Sequence, residues 1–84
     1  MITQRTQFKS NDFLFDSVEW ATPHGSVTHV TKPNKENGGF DITVKIKSDN
    51  LPSDQVLSIW AISDKVVKSQ IVKPLNQMIK QGLL

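Results

Sequence analysis

Between residues 40 and 47 the chain reads FDITVKIK, and Phe40, Ile42, Val44 and Ile46 alternate with Asp41, Thr43, Lys45 and Lys47. Successive side chains of a β-strand point to opposite faces, so this period of two predicts a strand with one face on a core and the other in water. Such a strand needs neighbours for its backbone and a second layer over its apolar face. The rest of the chain has to supply both.

The neighbours are sought first on the N-terminal side. Phe13, Leu14, Phe15, Val18 and Trp20 lie in an aromatic and β-branched stretch, which favours strand. Pro23, His24 and Gly25 interrupt it, and Val27 and Val30 among threonines read as a returning strand. The expectation is a hairpin over roughly 13–22 and 26–32. KPNKENGG, residues 32–39, is a loop in which Asn37-Gly38 signals a tight turn. Residues 1–11 are polar apart from Met1, Ile2 and Phe8 and read as a loose arm or a weak edge strand.

The covering layer is sought after Pro52. Ser53 and Asp54 have the chemistry of a helix entrance, and Ser63-Asp64 offers a second one. Val56, Leu57, Trp60 and Ala61 share a face at helical spacing, as do Val67, Ile71, Val72, Leu75, Met78 and Ile79. Gly82 fits the position just past a helix end. Pro74 predicts a kink, or a restart with the proline in the first turn. VLSIWAI also suits a strand buried on both faces. The expected fold is α+β: about three antiparallel strands covered by two helices, or one broken helix, within 53–81. It forms a single domain over residues 1–84. Its core is expected from Phe13, Phe15, Trp20, Ile42, Val44, Ile46, Trp60, Val67, Ile71 and Leu75.

Size and composition narrow the classes of function. A chain of 84 residues has a thin core, and with no cysteine it has no disulfide or thiolate metal site to reinforce it. Association with a second copy is the expected remedy, so a homodimer is predicted. No apolar run is long enough to span a membrane, and MITQRTQFKSND lacks the apolar centre of a signal peptide. A soluble, cytoplasmic protein is expected. His24, in a turn, and His29, in a strand, do not converge with Asp16 or Glu19 as a metal site requires. A triad drawn from Ser26, His24 and Asp16 has no nucleophile turn behind it. Gly38-Gly39 opens a strand, where a phosphate-cradling loop opens a helix. Neither catalysis, a cofactor, a metal nor a small-molecule substrate is predicted.

The charge is placed unevenly. Residues 65–84 hold Lys65, Lys68, Lys73 and Lys80 and no acid, while each of the preceding stretches 1–31 and 32–64 sums to −1. Clustered positive charge is the footprint of a polyanionic partner, although lysines near a helix end also complement its dipole.

Residues 57–84, LSIWAISDKVVKSQIVKPLNQMIKQGLL, resemble a helix-turn-helix followed by the exit of a winged-helix recognition helix. Small Ala61 stands in the first helix and Val66 at the turn. Polar Lys68, Ser69 and Gln70 open the second helix, and Ile71 and Leu75 hold it down. Lys65 replaces the usual turn glycine, and Pro74 interrupts the second helix. The resemblance implies a small DNA-binding regulator that acts as a dimer through Lys65, Lys68, Gln70, Lys73, Gln77 and Lys80. The other reading of the same composition is a protein-interaction module, an accessory or inhibitor protein that binds a larger protein.

Overall fold

The computed structural model describes residues 2–14 and 16–84. It is an α+β fold. Five strands, β1 (Ile2–Gln4), β2 (Ser17–Thr22), β3 (Gly25–Pro33), β4 (Phe40–Ser48) and β5 (Gln55–Ala61), form one sheet in the order of the sequence. β1 runs parallel to β2, and every later pair is antiparallel. A C-terminal helix, residues 64–80, covers one face.

β4 has the alternation predicted for it. Ile42, Val44 and Ile46 are buried, whereas Asp41, Thr43, Lys45 and Lys47 are exposed. The register carries this pattern across the sheet. His29 lies opposite Val44, Val44 opposite Leu57, and Trp20 opposite Val27. The inner rows therefore coincide, and Val67, Ile71, Val72 and Leu75 of the helix close over them.

The sheet has two strands more than expected. Residues 2–4 make a short edge strand, and the crossover from β1 to β2 brings Phe8 and Phe13 into the core. Phe8 is pinned from a distance of 68 residues. Its backbone N–H donates to Asn76 Oδ1 at 2.6 Å, and Asn76 Nδ2 donates to its carbonyl at 2.9 Å. Arg5 and Asp12 fasten the same crossover with an ion pair at 2.8 Å. Phe15, expected in the core, lies outside the described residues.

The second added strand replaces a helix. Residues 55–61 pair along their whole length with β4 and form no helix. Their Val, Ile and Trp content suits the pleated surface, and β4 offers a free ladder edge that only another strand satisfies. Trp60 consequently leaves the core: it stands on the outer face, 44% exposed.

The helix begins after Ser63, which has the extended backbone of an N-cap although its hydroxyl makes no capping bond. It continues through Pro74 to Lys80. The turn over Lys68–Val72 is a π turn, in which the Lys73 N–H reaches back five residues to the Lys68 carbonyl. A proline ring clashes with the carbonyl four residues before it, and the wider turn gives that carbonyl room to move away. Gly82, at φ +77°, ends the helix as expected. The chain then turns back, and the Leu84 carbonyl accepts from the His24 N–H at 2.7 Å.

Candidate functional site

β5 is the edge of the sheet. Among the described residues it pairs only with β4, so alternate backbone N–H and C=O groups along its other side have no ladder partner there. Sheet edges are normally blunted by shortness, charge or proline. The opposite edge, β1, is three residues long. β5 has seven residues, and from Gln55 to Ser63 the chain contains no charge and no proline.

Its side chains are unprotected on both faces. Outward lie Val56, Ser58 and Trp60, with Val56 59% exposed, and Ile62 beyond the strand end is 57% exposed. Inward lie Leu57 and Ile59, which stay half-buried, while Ile42 and Val44 opposite them are fully covered. The helix therefore stops short of this edge. The Trp60 indole N–H donates to the Gly38 carbonyl at 2.7 Å, which fixes the ring against the β3–β4 loop. Gly39 in that loop has φ +69°, and a Cβ there would lie 2.4 Å from the Ala61 carbonyl, so the loop approaches β5 closely only because this residue is glycine.

A second feature lies on the helix. Lys65, Lys68 and Lys73 line a groove of about 440 Å³ together with Ser69, Val72 and Asn76. An adjoining hollow of about 300 Å³ shares Lys68, Val72 and Asn76 and adds Lys9 from the N-terminal crossover. Among the described residues no acidic side chain lines either one. Of the six residues expected to contact DNA, the groove unites Lys65, Lys68 and Lys73. Gln70, Gln77 and Lys80 are exposed on the same helix but do not line it. The helix-turn-helix itself is not formed, because its first helix is β5 and Ala61 is a buried strand residue opposite Phe40. The uncharged stretch between Asp54 and Asp64 was the sequence signal for the exposed edge, and helical spacing within it pointed elsewhere.

The histidines are far apart in character. His24 is exposed in the β2–β3 turn, and His29 is fully buried. Among the described residues no three His, Cys, Asp or Glu side chains gather as a metal site requires. His29 stacks on Trp20 with ring centroids 4.9 Å apart and planes 12° apart. Thr31 donates its hydroxyl proton to the Phe13 carbonyl at 2.8 Å, so His29 Nδ1 donates to the Thr31 oxygen at 3.2 Å. Nε2 has no hydrogen-bond partner among the described residues.

Burial holds the His29 pKa below its ordinary 6.5, against the opposing pull of the Asp12 backbone and carboxylate. The unfolded chain thus takes up a proton near pH 6.5 that the folded chain refuses. Stability from this group is complete above that pH and is lost as pH falls toward the lowered folded value. The melting temperature is expected to drop between pH 7.5 and pH 5. His29→Phe is expected to flatten that drop, as thermal unfolding followed by circular dichroism will show. An unchanged slope in the variant would remove His29 as its source.

Comparison of the chain with protein-family models, with curated proteins and with solved structures finds no match.

Proposed function

We propose that this is a small, non-enzymatic, cytoplasmic protein-interaction module that works through the β5 edge. The observation that carries the reading is that edge: seven paired residues, uncharged, with large apolar groups exposed on both sides of Trp60. An added strand would satisfy the free backbone groups, and its alternate side chains would cover Val56 and Trp60 on one face and Leu57 and Ile59 on the other. Affinity would come from the ladder and selectivity from the side-chain rows.

The lysine groove favours a second reading, a DNA-binding regulator. Three helix lysines line the groove, Lys9 lines the hollow beside it, and no acid is among the described residues that line either, which suits phosphate contacts. Among the described residues the helix has no partner α-helix to brace it in a major groove, so contacts of this kind would read the backbone more than the bases.

One experiment addresses both. The chain is immobilised and used to capture protein from a nuclease-treated lysate, beside V56K/W60K and K68E/K73E variants. A discrete partner held by the wild type and by K68E/K73E, but lost from V56K/W60K, is the expected result. Capture unaffected by V56K/W60K would overturn the β5 reading. Duplex DNA binding that falls steeply with salt and disappears in K68E/K73E would promote the second reading.

A further inference from the structure

We propose that the occupant of the β5 edge is a second copy of this chain, joined antiparallel about a two-fold axis at Ser58. The inference rests on the reading of β5 as the interaction surface and names its partner. Two antiparallel copies of Gln55–Ala61 overlap completely only when the paired residue numbers sum to 116, which sets Ser58 opposite its own copy. Val56 then faces Trp60 of the other protomer, and Leu57 faces Ile59. An aromatic side chain thus meets a β-branched one twice on the outer face, and two aliphatic pairs form on the inner face. The small Ser58 sits at the axis, where a large side chain would meet itself.

The charges agree with this arrangement. Nothing charged lies within the paired segment, so no like charges are brought together across the axis. The same pairing covers the half-buried Leu57 and Ile59, which the helix leaves open. It also closes. An isologous contact uses both β5 edges and leaves a ten-stranded sheet ending in the two short β1 strands, so growth stops at two copies. Strand pairing of this length is a small interface, at the low end of about 1,200 Å² in total, and suits micromolar association.

The two-fold has a consequence for the helices. Each protomer keeps its helix on the inner face of its own sheet, and a two-fold normal to the sheet keeps the inner faces together. Both lysine grooves therefore lie on one side of the dimer.

The test uses sedimentation equilibrium of the full chain, with circular dichroism to confirm folding. The wild type is expected at twice 9.4 kDa at tens of micromolar. V56K/W60K sets lysine against lysine in both outer pairs and is expected to weaken the dimer by about a hundred-fold. V56E/W60K places opposite charges in those pairs, and also opposite Lys45 and Asp41 on β4, and is expected to retain dimerisation. A foreign partner gives no reason for that rescue. A separate check uses the absence of cysteine in the chain. Facing Cα atoms in an antiparallel ladder lie about 4.5–5.5 Å apart, within disulfide reach, so S58C is expected to cross-link to a dimer on oxidation. T43C, exposed on the neighbouring strand, is expected to stay monomeric under the same treatment. A wild type that remains monomeric at hundreds of micromolar overturns the second copy but leaves β5 open to a different protein. A V56K/W60K variant that still dimerises, or a V56E/W60K variant that does not, overturns the Ser58-centred pairing. If V56K/W60K does not fold, S58C decides alone, and failure to cross-link overturns the proposal.

Discussion

Val44→Asp is expected to leave the chain unfolded at room temperature. Val44 is completely buried at the centre of β4, between His29 on one side and Leu57 on the other. The neighbours on that face are apolar except His29, which burial holds in its neutral form, so the new carboxylate meets no ready cation and loses its hydration. An unpaired buried polar group costs several kcal/mol, and a charge costs more. A domain of this size has only about 4–13 kcal/mol in total, at about 0.05–0.15 kcal/mol per residue. Thr43→Asp, one residue away, points to the outer face, where Thr43 is exposed. It should cost about 1 kcal/mol or less, mostly in strand propensity. Urea unfolding followed by circular dichroism distinguishes the two. Equal damage at both positions would mean that the outer face of the sheet is also a core.

The strand around Val44 was legible because its alternation is local: eight residues contain the whole signal. Gly82 and the helix start at Ser63-Asp64 were legible for the same reason, as both depend on backbone geometry within a turn or two. β5 was not. Val56, Leu57, Trp60 and Ala61 satisfy helical spacing as well as a strand does, and an apolar run of this length carries too little periodicity to choose. The choice belongs to β4, whose free ladder needs a partner, and that is tertiary information. The clamp between Phe8 and Asn76 is equally invisible, because two residues 68 apart with ordinary polar chemistry give no local sign of meeting. The lysines were visible as charge. Their gathering at one groove follows ordinary helical spacing, since Lys65, Lys68, Ser69, Val72, Lys73 and Asn76 share one face at about 100° per residue, whereas the adjoining hollow that adds Lys9 depends on where the N-terminal crossover packs.

The two tryptophans show the same limit most plainly, since both read as core and only one is. Trp20 is 1% exposed and is enclosed by Phe8, Phe13 and His29, with ring centroids 5.3, 5.1 and 4.9 Å away. Trp20→Ala removes the ring on which the other three pack. The loss is about 3–5 kcal/mol for a fully buried aromatic, because the surrounding rings cannot collapse into the space. At about 4–8 °C per kcal/mol for a domain of this size, the melting temperature falls by 12 °C or more. Trp60→Ala removes a half-exposed ring and its exposed bond to Gly38, so the fold should lose about 1 kcal/mol or less. Its effect belongs to association: the same variant should weaken the β5-paired dimer, in which Trp60 covers Val56 of the other copy. Fluorescence reads both outcomes, since each variant has a single tryptophan left. In Trp60→Ala the emission should be that of a buried indole and shift to the red only on unfolding. In Trp20→Ala, wherever it still folds, the emission of Trp60 should shift with protein concentration. A Trp60→Ala protein as unstable as Trp20→Ala would place the Trp60 ring in the structural core, and β5 would then lose its standing as a free edge.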